Sequence, residues 1–428
     1  MKSVEQIVIN GNKRISGEVS VHGAKNSALP ILAATVVTNG INVIHNCPRL
    51  TDIDAAIKIL TYLGCKVSRE GSTVIVDSTA MDRFDIPDDL MREMRSSIVF
   101  LGSIAVRMKK VDLSTPGGCE IGLRPIDLHI SSMEKLGMRV TEEYGRLICD
   151  CEDGIRGTKI ALSFPSVGAT ENVMIAACTA KGHTTIINPA REPEISDLAD
   201  FLNRAGAKIQ GAGESTIEIE GVSKLRGAEH WVIPDRILAT TYMAAAVSTY
   251  GNITVKDIIP AHLMPIIPVF EQMGCDISVR CGEISVIAPP KLKCAKQIRT
   301  MPYPGFPTDA QAPIMALATI ASGTSVFVEN IFESRYKHVS ELIRMGAKIT
   351  VNDRVAVVEG IDTLYGTTVI SPDLRGGAAL VIAGLGAQGE TRISAVKHID
   401  RGYECIEDVL SSVGADIKRI NVDGKETE

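Results

Sequence analysis

No run of about 18 apolar residues occurs anywhere in the chain, so nothing in it reads as a membrane span. Aromatic residues are scarce, 4% of the total with a single tryptophan, which argues against stacked-ring platforms for nucleic acid. A basic excess is missing too. The formal net charge is −6, so no overall field draws the chain to nucleic acid or an acidic membrane. No signal peptide is read at the start, and the ten cysteines are scattered at 47, 65, 119, 149, 151, 178, 275, 281, 294 and 405. That usage indicates a reduced, cytoplasmic protein. Cys149 and Cys151 form an isolated CxC that alternates with Leu147 on one strand face, and no second Cys or His pair makes it a metal site. HExxH and GxSxG are absent, and GGCEIG (117–122) satisfies neither GxGxxG nor GxxxxGK[ST], because Leu123 and Arg124 follow Gly122.

What is present is an aliphatic, soluble composition: 45% hydrophobic and 22% charged residues over a length that needs two or three domains. The chain also repeats itself. LGCKVSRE (63–70), LGMRVTEE (136–143), AGAKIQGA (205–212), MGCDISVR (273–280), MGAKITVN (345–352) and VGADIKRI (413–420) each end a helix-period segment in a glycine and begin an alternating one. The glycines are 73, 69, 68, 72 and 68 residues apart, too regular for coincidence. In the first unit Thr51 reads as an N-cap, Ile53, Ile57, Leu60 and Leu63 share a face, and Gly64 supplies a left-handed C-terminal residue. A β-hairpin is expected after each such helix. Units of about 70 residues exceed the usual solenoid repeat, so they predict an α/β protein of two lobes with three units each. The hinge is expected near Gly227–Pro234, and the cleft between lobes is the default ligand site.

Five stretches carry candidate chemistry. In HGAKNSALP (22–30), Lys25 and Asn26 stand at a helix start suited to anions, although a solvated first-turn lysine also fits. Arg95 interrupts an apolar helical pattern, either snorkelling outward or aimed at a ligand. TPGGCEIGLRPIDLH (115–129) sets Cys119 in a glycine-rich loop with little bulk to bury it, whereas the other nine cysteines read as buried and inert. MPYPGFPTDAQAP (301–313) reads as a proline-stiffened loop delivering Thr308, Asp309 and Gln311, with Asp309 a general base or a turn cap. Arg335, Arg375 and Arg401 lie beside turns or helix starts, where singly each suits the surface and together they suit a small multiply charged anion.

GAKNSALPILAAT, PGGCxIGxRPIDLH, PSVGAT (165–170), REPEI (191–195), PDR (234–236), GFPTD (305–309) and HIDRGYE (398–404) together resemble, in order and over nearly the full length, the enolpyruvyl transferase family in its UDP-N-acetylglucosamine branch. The resemblance implies a two-domain inside-out α/β barrel of six units, three per domain, with lobes at 22–232 and at 1–21 plus 233–428. It implies transfer of the enolpyruvyl group of phosphoenolpyruvate to the 3′-hydroxyl of UDP-N-acetylglucosamine, with release of phosphate. It implies Cys119 as proton donor and Asp309 as base. Lys25, Arg124 and Arg401 would hold phosphoenolpyruvate, with Arg335 and Arg375 in support. Asn26, Arg95, Arg124, Pro125, Ile126, Asp127, Leu128, Ser166, Val167, Gly168 and Ile331 would hold the nucleotide sugar. No metal or organic cofactor is implied, the partners are these two small molecules, and a monomer is expected. A sibling transferase acting on shikimate 3-phosphate and a silent nucleotide-sugar-binding paralogue are the other readings. Two departures from the family pattern stand out: Glu120 after the cysteine, an acidic neighbour expected to raise the thiol pKa, and ILATTY after PDR.

Overall fold

The computed structural model describes residues 4–94, 96–114 and 126–422. Arg95, Cys119, Glu120, Arg124 and Pro125 lie outside the described residues. The chain divides into two compact units, one discontinuous (4–21 with 234–422) and one enclosed within it in sequence (22–114 with 126–233).

All six spaced glycines adopt the left-handed conformation the sequence predicts: φ is +96° at Gly64, +98° at Gly137, +104° at Gly206, +92° at Gly274, +100° at Gly346 and +100° at Gly414. Each ends an amphipathic helix, namely Thr51–Tyr62, Asp127–Lys135, Pro193–Arg204, Ile267–Gln272, Val339–Arg344 and Ile406–Ser412. A side chain there would clash with its own carbonyl, so glycine ends the helix at little cost. Five of the helices then lead into a local hairpin, such as Lys66–Glu70 with Thr73–Asp77. The sixth departs from expectation. Its strand Asp416–Val422 pairs antiparallel with Val4–Asn10, with Ile417 opposite Ile9, so the start of the chain supplies what a hairpin supplies elsewhere. Thr51 also differs from expectation: Leu50 is the cap and Thr51 the first helical residue.

One four-stranded sheet belongs to each repeat, three per unit. In a typical one, Gln297–Arg299 runs parallel to Thr324–Val328, which pairs antiparallel with Val355–Glu359, itself paired with Lys348–Asn352. Along Thr324–Val328 buried and less buried residues alternate, as a sheet with one covered face requires. The covered faces pack on helices that are buried over most of their surface. Lys25–Ala34, Phe100–Met108 and Val167–Ala177 serve the enclosed unit; Arg236–Ser248, Thr308–Ala318 and Leu374–Gly386 serve the other. Every residue of Arg236–Ser248 is buried. Helices inside and sheets outside make each unit an inside-out α/β barrel.

Small residues let these helices approach. A Cβ at Gly102 would lie 2.6 Å from the carbonyl oxygen of Asn172, whose side chain accepts the Gly102 N–H at 2.7 Å. Six cysteines (47, 65, 149, 151, 178 and 275) are buried as read, and burial pushes the Cys178 thiol up to about 12. The reading fails for Cys281, exposed in a hairpin turn, for Cys405, exposed at the start of Ile406–Ser412, and for half-buried Cys294. Among the described residues no helix is long and apolar enough to cross a membrane.

Candidate active site

In the enclosed unit a helix does begin at Lys25, after Ala24 in extended conformation. Lys25 is not the solvated lysine that the bare stretch also allowed. It is buried, and its Nζ lies 3.0 Å from Oδ2 of Asp52, itself 1% exposed. Asp52 sits in the first turn of the next helix, where its charge also favours the helix dipole. Asn26 is exposed one residue along. A cation so held keeps its ammonium in one place, at a helix N-terminus that itself favours anions.

Two further helix starts meet in the same unit. Asp127 and Leu128 open Asp127–Lys135, with Ile126 before them, and Ser166 caps Val167–Ala177 by accepting from the N–H of Ala169 at 3.4 Å. The ring of His129 bridges them. It lies 2.9 Å from the side-chain nitrogen of Asn172, and a Cβ at Gly168 would come within 3.0 Å of it. Gly168 is therefore a close-approach position, and the structure brings Ile126, Asp127 and Leu128 together with Ser166, Val167 and Gly168.

The discontinuous unit gathers Asp309, Arg335 and Arg375. Asp309 is the second residue of Thr308–Ala318, so this part of the expected proline loop is helix, and Gln311 is buried within it. Its Oδ1 accepts from Nη2 of Arg335 at 2.7 Å, and its Oδ2 accepts from Nη2 and Nε of Arg375 at 2.9 and 3.2 Å. The two arginines are 4% and 2% exposed, which overturns their reading as surface charges. Burial is the largest influence on Arg375 and opposes its charge, yet Tyr403, Asp309 and Asp235 outweigh it and hold its pKa above the ordinary value. Nη1 of Arg375 donates to the Tyr403 hydroxyl at 3.0 Å, and that hydroxyl lies 3.0 Å from Oγ1 of Thr241. The unusual ILATTY segment thus joins the arginine network and continues a helix capped by Asp235. Ile331 is brought to the same helix start by Glu329, which accepts from the N–H of Ile331 at 2.9 Å and from Thr308 Oγ1 at 3.0 Å. Arg401 is half-buried in a turn whose Asp400 accepts a bidentate pair from Arg419 at 3.1 and 2.7 Å.

Sequence reasoning missed Asp52, His129, Asn172, Glu329 and Tyr403. Asn172 and Glu329 carried a usable signal, a polar residue within an apolar run; Asp52 carried none beyond a favourable helix-start position.

The family model described as EPSP synthase (3-phosphoshikimate 1-carboxyvinyltransferase) matches residues 9–410. The chain belongs to the EPSP synthase family. Within it, the chain is 53% identical to UDP-N-acetylglucosamine 1-carboxyvinyltransferase 2 of Caldanaerobacter subterraneus subsp. tengcongensis, over 96% of this chain and 99% of the relative. It is 48% identical to UDP-N-acetylglucosamine 1-carboxyvinyltransferase 1 of Symbiobacterium thermophilum, over 98% and 96%. Among solved structures, the enolpyruvyl transferase NikO from Streptomyces tendae superposes with a TM-score of 0.89 at 25% identity, over 99% of this chain and 100% of that one. EPSP synthase from Acinetobacter baumannii shares the fold at a TM-score of 0.73 and 18% identity, over 98% and 100%. In this EPSP synthase-family chain the inside-out barrel is thus the family's own architecture.

Proposed function

We propose that this chain transfers the enolpyruvyl group of phosphoenolpyruvate to the 3′-hydroxyl of UDP-N-acetylglucosamine, releasing phosphate into solution and product into peptidoglycan precursor synthesis. The observation that carries the reading is the near-full-length identity to relatives bearing that activity in their name. The site geometry agrees with it. A base must be ionised and held at one angle, and Asp309 is gripped at both oxygens by guanidinium groups.

In this reading Asp309 takes the hydroxyl proton as the sugar oxygen bonds to C2 of phosphoenolpyruvate, while Cys119 gives a proton to the C3 methylene. Loss of one C3 proton and departure of phosphate from the tetrahedral adduct then restore the double bond. Lys25, Arg124 and Arg401 bind phosphate and carboxylate, supported by Arg335 and Arg375. Asn26, Arg95, Arg124, Pro125, Ile126, Asp127, Leu128, Ser166, Val167, Gly168 and Ile331 bind the nucleotide sugar. The scheme calls for no metal or organic cofactor, and for a monomer working in the cytoplasm.

Phosphate release measures this directly. Turnover is expected with phosphoenolpyruvate plus UDP-N-acetylglucosamine, and its loss after treatment with a thiol-alkylating epoxide phosphonate. Silence with that pair but release with shikimate 3-phosphate would overturn the reading, and silence with both acceptors would leave a binding protein.

A further inference from the structure

Ser27, Asp197 and His230 form a buried polar cluster in the enclosed unit that none of these roles uses. Ser27 Oγ donates to Oδ2 of Asp197, His230 Nε2 lies 2.8 Å from Oδ1, and the N–H of Ile233 donates to Oδ2 at 3.2 Å. The three side chains are 0%, 4% and 2% exposed. The composition is that of a hydrolase triad, but the order is not. The carboxylate stands between serine and imidazole, so the hydroxyl serves the carboxylate and not a base. Because an ionised carboxylate only accepts, the imidazole carries its proton on Nε2. Its Nδ1 is buried without a hydrogen-bond partner, and Phe201 meets the ring edge-on at 5.8 Å. Leaving a buried carboxylate short of donors is costly, so the three segments are held to it together.

Those segments matter for where they lie. Ser27 is in the helical turn that starts with Lys25 and Asn26, Asp197 is in the middle of Pro193–Arg204, and Ile233 ends the enclosed unit. The backbone adds a second tie, since Ala24 N–H donates to the Ile233 carbonyl at 2.7 Å. We propose that Asp197, oriented by His230, is a positioning residue that sets the rotation of the Lys25–Asn26 helix start and so the capture of the phosphoenolpyruvate anion. The inference rests on the reading of Lys25 given above. The Lys25 ammonium is anchored on Asp52 at 3.0 Å, so a rotation of the first turn strains that pair and draws the ammonium off the position it otherwise keeps. Misplacement by about 1 Å can cost on the order of a hundredfold in rate.

The test is binding and kinetics of the whole chain carrying Ser27→Ala, Asp197→Asn, His230→Leu or His230→Gln, each with a thermal melt. Calorimetry with phosphoenolpyruvate in the presence of UDP-N-acetylglucosamine, on a Cys119→Ser background so that the pair is not consumed, is expected to show about tenfold weaker binding for Asp197→Asn and His230→Leu, and about threefold for Ser27→Ala. KM for phosphoenolpyruvate should rise in parallel while KM for the nucleotide sugar rises less. His230→Gln, whose amide can still donate to the carboxylate, should restore most of what His230→Leu loses. A purely structural role would lower the melting temperature without this split. Unchanged phosphoenolpyruvate binding in Ser27→Ala, which removes one oxygen and folds even where Asp197→Asn does not, would overturn the inference. Equal loss in the leucine and glutamine variants would do the same. Failure of the functional reading appears separately, as absent phosphate release from the unaltered chain.

Discussion

Asp309 balances two guanidinium groups that are themselves almost wholly out of water, so its charge serves chemistry and folding at once. Asp309→Asn should lower kcat by about 10²–10⁴-fold, the range for loss of a general base. It should also lower unfolding free energy by roughly 3 kcal/mol, because Arg335 and Arg375 stay buried without their counter-charge. Phosphate release and a urea titration on the same preparation check both, and a variant as stable as the parent would contradict the burial argument. A second residue-scale prediction concerns His338, which is fully buried beside Arg335 and Asp373. Burial lowers its pKa from 6.5 to about 4; Asp373 opposes the fall, the Arg335 charge adds to it, and a backbone hydrogen bond at Arg335 offsets part of that addition. Between those values the unfolded chain binds the extra proton, so stability present above about pH 6.5 is lost as pH falls toward 4. The loss by pH 5 should be about 2 kcal/mol, and in His338→Gln that part of the pH dependence should vanish from urea midpoints. The sequence made Asp309 and the arginines legible as charges in unusual company. It did not show that they pair, because partners 26 and 66 residues apart in sequence are set by tertiary packing alone.

Secondary-structure elements were the most legible level. A glycine every 70 residues or so, closing an amphipathic helix, needs only local backbone geometry, and so it appears in sequence and structure alike. The inner helices were harder, because a helix buried on all sides has no periodicity to read; Arg236–Ser248 and Leu374–Gly386 look like generic apolar runs. Thr308–Ala318 was hidden for a different reason: prolines at 302, 304, 307 and 313 pointed to a loop, whereas the helix starts just after Pro307 and carries Pro313 inside it. The tolerance of these helices is correspondingly narrow. A Cβ at Gly377 would stand 2.6 Å from Cγ1 of Ile399, with the Ser371 hydroxyl nearer still. Gly377→Ala should therefore overpack the start of Leu374–Gly386 and cost about 1–3 kcal/mol, outweighing alanine's better helix propensity of about 1 kcal/mol. A thermal melt decides: an unchanged or higher midpoint would mean that Ile399 and Ser371 move aside cheaply.

At the scale of the whole molecule, the two units differ in how the chain builds them. Residues 22–233 contribute every strand of three sheets and all three inner helices of their unit. The other unit borrows Val4–Asn10 and Ser16–Ser20 from the far end of the sequence. The repeats disclosed six units but not this borrowing, since the sixth glycine-ended helix looks like the other five until its strand seeks a partner. Val4–Asn10 is not an edge strand. It lies between Glu390–Ser394 and Asp416–Val422, with Ile7 opposite Ile393 on one side and Ile9 opposite Ile417 on the other, all of them buried. Without it, Asp416–Val422 loses its ladder, Glu390–Ser394 keeps only its pairing with Thr368–Ile370, and the apolar face beneath is uncovered, a loss too large for a fold with a margin of about 5–15 kcal/mol. A fragment of residues 22–233 should therefore unfold cooperatively in urea on its own, whereas 234–428 should not. Joining 1–21 to the latter through a flexible linker should restore a cooperative transition. Independent folding of 234–428 without the N-terminal strands would refute this account of the discontinuous unit.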